Sequence, residues 1–278
     1  MKLRFDPYKI FRCSKTPVGL YARQKWLGEA DTPVWQADFQ ERVNTLLADQ
    51  LPNGSWRQSP VATIVNLFGL HLTLRITNNR IDDALAWLIN RIRIKPDGVY
   101  IRSDLEIKHA DLTGLPFVLS RPEILLTTAT LFLSSIFNRQ NDPKVLSIYE
   151  WLCKKGLTKD GLSFDMASLH NIFRAMVVHP LFANDDLTAK TVQIYAELQT
   201  EKGDWGNTLP FYQTLNALAH LNSTQDEIQL ETAFSRLIKT QNSNGTWGRR
   251  EPEWNTFLSI HALQNKGFLK DEWVTPEN

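Results

Sequence analysis

The chain has few cysteines, little net charge and no long apolar run. It contains 278 residues, two cysteines and a formal net charge of +1. Cys13 and Cys153 stand outside any CxxC pair, so they do not build a disulfide framework, and we predict a cytoplasmic protein. So small a net charge supplies no global field for nucleic acid or an anionic membrane, and we predict no nucleic-acid partner.

Membrane and leader signals are also lacking. The longest apolar run, residues 124–137, is interrupted by hydroxyl residues and is too short to span a bilayer. The N-terminus has no charged start followed by an apolar core and a small-residue cleavage site. We therefore predict no transmembrane segment, and peripheral membrane contact stays open.

Tryptophan is abundant, with nine residues, and its positions mark an internal repeat. A turn of the form polar-Gly-x-aromatic recurs between an amphipathic segment and an apolar one. The turn glycines are separated by 44, 63, 42 and 42 residues, so the second interval holds an insertion at about residues 101–121. The glycines are Gly54, Gly98, Gly161, Gly203 and Gly245, and the aromatic residues are Trp56, Tyr100, Phe164, Trp205 and Trp247.

The segments that flank these turns predict two kinds of helix. Those after the turns are apolar on most faces, as buried helices are, whereas those before them are amphipathic. This alternation predicts an all-α fold, an α/α toroid with two concentric rings of helices, and no strand hairpin is expected. We expect an N-terminal arm and first helix over residues 1–34 and a single toroid over residues 35–278. The predicted apolar helices are 61–74, 124–137, 211–221 and 257–263; the amphipathic ones are 38–48, 82–93, 145–154, 191–199 and 228–241.

Three of the turns resemble the QW motif of the terpenoid cyclase and protein prenyltransferase superfamily. In each, a Gln lies four residues before the Gly and a Trp lies two residues after it, as in Gln50, Gln199 and Gln241 with their glycines and tryptophans. The resemblance covers roughly residues 35–264 and suggests a short, single-toroid member similar to the squalene-hopene cyclases. It implies an apolar central cavity that would hold a polyisoprenoid. The aromatic residues at the starts of inner helices would then face the ligand, with core packing as the alternative reading: Phe211, Tyr212, Trp254 and Phe257.

The acid of the resembled class II cyclases is missing. They protonate an alkene with the middle Asp of a DxDD motif, and this sequence has no DxDD. In the nearest local match, residues 252–257, Trp254 falls where the acid should be and Glu253 is one residue away. Three acids at inner-helix starts are therefore the candidate proton donors, with helix capping as the alternative: Glu123, Asp165 and Glu253.

Further candidates for substrate contact are His170, which follows Asp165 by five residues, and His109 and Asp111 in the insertion. The insertion itself is a candidate lid or recognition loop. The two Asp-Asp pairs, at 82–83 and 185–186, fit helix starts better than a metal site, and neither cysteine has an Asp two residues before it. We predict no metal and no cofactor.

These observations favour a terpene cyclase-like protein that binds an apolar, isoprenoid-like molecule and cyclises it with a non-standard acid. The alternatives are a non-catalytic toroid that binds a lipid or isoprenoid, and a scaffold for protein interaction. The oligomeric state stays open.

Overall fold

The computed structural model describes residues 3–95, 98–101, 106–158 and 161–269. The chain divides into two compact units, one formed by Met1–Leu46 with Leu198–Asn278 and the other by Leu47–Glu197. Helices dominate both units, and within the described ranges no helix is long and apolar enough to cross a membrane. The α-helices are α1 Pro17–Lys25, α2 Pro33–Ala48, α3 Pro60–Thr73, α4 Asn79–Arg91, α5 Pro122–Ile136, α6 Pro143–Gly156, α7 Met166–Met176, α8 Asp186–Leu198, α9 Phe211–Leu218, α10 Thr224–Lys239 and α11 Pro252–Asn265.

Three of the apolar helices begin at a proline. Pro60, Pro122 and Pro252 occupy the first turn of α3, α5 and α11. Proline is tolerated there because a backbone N–H in the first turn has no hydrogen-bond partner within the helix. The predicted helix over 211–221 is shorter, because α9 ends at Leu218. In the second unit, α5 is buried along most of its length and packs against α3, α4, α6 and α7. In the first unit, α11 packs against α1 and α9.

The two turns without Gln and Trp form β-hairpins, so the prediction of no strand hairpin was wrong there. β1 (Ile92–Lys95) pairs antiparallel with β2 (Gly98–Ile101), and β3 (Leu157–Thr158) with β4 (Gly161–Leu162). The first hairpin follows from the alternation of isoleucine with basic residues in Ile-Arg-Ile-Lys, which has the period of a strand. Four residues were too few to show this pattern beside the amphipathic helix that precedes them.

Two of the three Gln-Gly-Trp corners, those of Gln50 and Gln199, share a long-range hydrogen bond. Gln50 Nε2 donates to the carbonyl of Gly54 at 2.8 Å and to that of Arg80, at the start of α4, at 2.7 Å. Gln199 Nε2 likewise donates to the carbonyl of Gln229 in α10 at 2.9 Å. Arg80 and Gln229 each lie thirty residues after the glutamine that donates to them. Gln50 and Gln199 thus each join their corner to the amphipathic helix of the next repeat, whereas Gln241 Nε2 donates to the carbonyl of Phe5 in the N-terminal arm at 2.9 Å.

The tryptophans of the corners are buried. The exposed fraction is 3% for Trp56, 1% for Trp205 and 0% for Trp247. The indole N–H of Trp247 donates to the carbonyl of Leu237 in the preceding helix, at 2.7 Å. The aromatic ring therefore folds back onto the helix before the turn, as the repeat suggests.

Candidate functional site

Aromatic side chains gather at the start of α11 in the first unit. Trp254 and Phe257 are buried, and their rings stack with centroids 5.5 Å apart and planes inclined by 11°. From α1 and its C-terminal end, Tyr21 and Trp26 pack on Phe257 at centroid distances of 5.3 and 5.4 Å. His261 stacks on the same ring at 5.9 Å. These five residues are the α11 aromatic cluster.

The spacing along α11 explains three of the five residues of the cluster. Positions 254, 257 and 261 are three and four residues apart, so they share one face of α11. The cluster presents apolar rings with electron-rich faces, which suit hydrocarbon and can stabilise a positive charge. The structure therefore brings together two of the four aromatic residues predicted from the sequence, Trp254 and Phe257.

Glu253 lies beside this cluster in the first turn of α11. It is partly exposed, and its Oε1 accepts a hydrogen bond from Thr16 Oγ1 at 3.1 Å. Thr16 is the N-cap of α1, where its side chain accepts from the backbone N–H of Gly19. Glu253 thus joins the N-terminal ends of α1 and α11, a position that suits an acidic side chain because of the helix dipoles.

Phe211 and Tyr212 lie at another corner. The ring of Phe211 is 6.1 Å from that of Trp205, and the guanidinium of Arg236 from α10 lies 5.6 Å from its centroid. Tyr212 stands edge-on to Phe211 at 5.1 Å, and burial raises the pKa of its hydroxyl. Phe211 has the surroundings of a packing residue of the corner.

Asp165 has the surroundings of a helix cap. Its Oδ1 accepts from the backbone N–H of Ser168 at 2.9 Å, its Oδ2 accepts from Ser168 Oγ at 2.8 Å, and Arg121 Nε is 3.5 Å away. Partial burial raises the pKa of Asp165, but these hydrogen bonds and the charge of Arg121 outweigh it and leave the pKa below its usual value. A proton donor needs the opposite shift. Glu123 is partly exposed in the first turn of α5.

His109 and Asp111 are exposed. They belong to a short 3-10 helix, His109–Leu112, in which Asp111 Oδ2 accepts from the backbone N–H of Lys108 at 2.8 Å. The carboxylate is thus used as a local cap.

Within the second unit, the insertion packs onto α3 and α5. Ile107, Leu115 and Phe117 meet residues of α3 and α5 around a cavity of about 10 Å³. This volume is close to the smallest that can hold one water molecule, and the lining is apolar. Ile107, Leu115 and Phe117 of the insertion therefore make an apolar contact with α3 and α5. The insertion's predicted role as a lid or recognition loop stays a prediction.

A buried polar pair on α7 is the feature that sequence reasoning found only in part. His170 was predicted, whereas Arg174, four residues later, was missed. His170 is fully buried, with Nδ1 3.4 Å from the hydroxyl of Tyr195. Arg174 is 5% exposed, and its guanidinium lies 5.2 Å from the centroid of the Phe132 ring. The signal was a histidine and an arginine at helical spacing in a segment rich in apolar residues.

Burial decides the charges of this pair. It lowers the pKa of His170 to about 3, with a further contribution from the positive charge of Arg174. It also lowers the pKa of Arg174 to about 9. At neutral pH the imidazole is therefore neutral and the guanidinium is charged.

Comparison with known proteins gives the fold. No protein-family model and no curated protein matches the sequence. Among solved structures, the chain is similar to the type II terpene cyclase MstE from Scytonema in its apo form, with 12% identity and a TM-score of 0.56 over 92% of this chain and 89% of that one. A variant of MstE in complex with its substrate, geranylgeranyl dihydroxybenzoate, matches with 12% identity and a TM-score of 0.55 over 90% and 87%.

A protein from Actinoplanes also matches, with 14% identity and a TM-score of 0.57 over 89% of each chain. Identities this low show the fold alone. The helical content and these matches confirm the predicted fold class, an all-α toroid of the kind found in terpene cyclases.

Proposed function

We propose that this protein binds an apolar isoprenoid-type molecule and that the α11 aromatic cluster contacts its hydrocarbon chain. The observation that carries the proposal is the buried stack of Trp254 on Phe257, with Tyr21 and Trp26 packed against it. What supports the ligand class is the fold shared with a cyclase whose structure holds a geranylgeranyl substrate.

The physical basis is the burial of hydrocarbon. Each CH₂ group removed from water contributes about 0.8 kcal/mol, and aromatic rings add contacts with specific geometry. Replacement of Phe257 by leucine keeps the site apolar but removes the ring that Trp254, Tyr21 and Trp26 all contact.

Binding of geranylgeraniol by the purified protein, measured by isothermal titration calorimetry, tests the proposal. We expect Phe257→Leu to weaken binding about five- to tenfold, from the energy of the lost aromatic contact. Phe211→Leu is the matched control, because Phe211 packs in a corner with Trp205, and it should leave the affinity unchanged. No binding by the unmodified protein, or equal loss in the two variants, would refute the proposal.

Acid-initiated cyclisation is the second candidate, favoured by the position of Glu253 next to Trp254 in the first turn of α11. In such a reaction a carboxylic acid donates its proton to a terminal alkene carbon. The neighbouring double bond attacks the cation, and ring formation ends when a carbon next to the cation loses a proton to solvent, from which the carboxylate regains its own. The product is an isomer of the substrate, so no co-reactant is needed.

Incubation with geranylgeraniol, followed by gas chromatography and mass spectrometry, detects such an isomer. We expect the product to disappear in Glu253→Gln while binding persists, and to persist in Asp165→Asn, since Asp165 serves as a helix cap. Product formation that survives both Glu253→Gln and Glu123→Gln would exclude these two acids. Ligand binding without any product would show that the protein binds the molecule and does not cyclise it.

A further inference from the structure

We infer that His170 and Arg174 form a binding site for an oxyanion, a carboxylate or a phosphate, carried by an apolar ligand. The inference rests on the second unit alone and does not depend on the proposed function.

The first observation is a buried arginine that has no counter-charge among the described residues. Arg174 is 5% exposed, and its Nε and Nη1 atoms have no hydrogen-bond partner. Arg23, another deeply buried arginine, is 2% exposed and pairs with Glu29 at 2.7 Å and with Asp38 at 2.8 Å. Among the described residues no carboxylate forms an ion pair with Arg174. A buried charge without a partner is unfavourable, so this guanidinium is suited to receive an anion.

The second observation is a neutral donor one helical turn away. Positions 170 and 174 are four residues apart, so they share a face of α7, and the charge of Arg174 is felt at His170. Burial raises the pKa of the Tyr195 hydroxyl, which keeps its proton and can donate it to His170 Nδ1. The imidazole proton then lies on Nε2, which is buried and has no partner. Two side chains thus offer N–H groups with no acceptor.

This donor set selects the chemistry of the ligand. Arginine binds carboxylate and phosphate groups through parallel N–H bonds, and a neutral histidine adds a donor without adding charge. A cation or a purely apolar group would leave these donors unsatisfied.

The surroundings of Arg174 are apolar. The ring of Phe132 lies under the guanidinium and contacts Phe68 at 6.1 Å and Phe117 at 5.5 Å between centroids. An anion at Arg174 therefore meets an aromatic wall, which suits a molecule with an apolar part next to its charged group.

Matched probes separate the charge from the apolar part. Geranylgeraniol, geranylgeranoic acid and geranylgeranyl diphosphate share one chain and differ in the terminal group, and calorimetry on the full chain measures their affinities. We expect one of the two anions to bind at least tenfold more tightly than the alcohol. The anion that binds more tightly shows whether the site prefers a carboxylate or a phosphate.

Removal of the charge should abolish this preference. In Arg174→Met the anion and the alcohol should bind within about twofold of each other. Arg121→Met, which removes an exposed arginine of the same unit, should keep the full preference. If Arg174→Met does not fold, Arg174→Gln removes the same charge with a polar side chain. An unchanged preference in the folded variant overturns the inference.

Head groups alone keep the test independent of prenyl binding. Benzoate and pyrophosphate are added separately, and the melting temperature is followed with and without Arg174. At least one of them should raise the melting temperature of the unmodified protein and not that of Arg174→Met. This result together with no binding of geranylgeraniol would refute the proposed function and leave the anion site in place. If neither head group nor either prenyl anion distinguishes the two proteins, the anion site does not exist.

Discussion

A β-carbon on Gly245 would lie 1.9 Å from the backbone carbonyl oxygen of Asp6. At the preceding corner, a β-carbon on Gly203 would lie 2.5 Å from the carbonyl oxygen of Thr232 in α10. At the corner of Gly245, the N-terminal arm thus lies where the amphipathic helix α10 lies at the corner of Gly203. Glycine is required there because any side chain would push the arm away.

Gly245→Ala should therefore destabilise the protein by more than about 3 kcal/mol, in the range of substitutions with severe steric overlap. Gly267→Ala is the matched control, because Gly267 also has a positive φ, +70° against +88°, but has no atom within 4 Å of its added β-carbon. Backbone strain alone should cost about 1 kcal/mol at Gly267. Urea unfolding of both variants measures the difference, and equal losses would show that the contact with Asp6 is unimportant.

Gln241→Ala should release the N-terminal arm. Gln241 Oε1 accepts from the backbone N–H groups of Arg4 and Phe5, and Nε2 donates to the carbonyl of Phe5 at 2.9 Å. Loss of these bonds should destabilise the protein by about 2 kcal/mol, since backbone groups lose their partners. Limited proteolysis should cut the arm sooner in this variant. Gln40→Ala, at an exposed site of α2, should change neither stability nor cleavage.

His170 should make the fold sensitive to acid. Its pKa is about 3 in the folded protein and about 6.5 when unfolded, so between these values the unfolded chain binds more protons. Stability should therefore fall as the pH drops below 6.5, by up to ~1.4 kcal/mol per pH unit from this group. His170→Asn should flatten the decline of the urea midpoint between pH 6.5 and pH 4. An unchanged slope would show that His170 is accessible to protons in the native state.

Arg174→Met should stabilise the ligand-free protein. The pKa of Arg174 is lowered by burial, so its charge opposes folding at every pH below about 9, and this penalty is relieved as the pH rises from about 9 toward 12.5. Replacement by an apolar residue of similar length should raise the free energy of unfolding at pH 7 by ~1–4 kcal/mol. Urea unfolding at pH 7 measures this gain. A loss of stability would mean that Arg174 serves packing on Phe132 rather than ligand binding.

The positions of the helices could be predicted because they depend on local patterns. The contrast between apolar and amphipathic segments placed the starts of α3 and α5 within two residues of those observed and the start of α11 within five. The hairpins at Gly98 and Gly161 could not be predicted, because strands of two to four residues are too short for a period to stand out against the neighbouring helix.

The candidate site was predictable only in part, since a residue's type does not reveal its partners. Asp165 and Phe211 have the right residue types for chemistry, yet Ser168 and Trp205 turn them into a helix cap and a packing residue. Arg174 gave the weaker signal along the chain, because an arginine in a helix is ordinarily solvated.

The sequence by itself determined the repeat, the helices and the corner residues, because each depends on neighbours within a few turns of the chain. The tertiary structure alone decided that the arm at Phe5 meets Gln241 and that Trp26 meets Phe257. It also decided that Arg174 is buried on Phe132 and paired with no carboxylate in the part of the chain that the structure describes. Contacts between distant segments set the local dielectric and the available partners, and these determine the charge and the chemistry of each side chain.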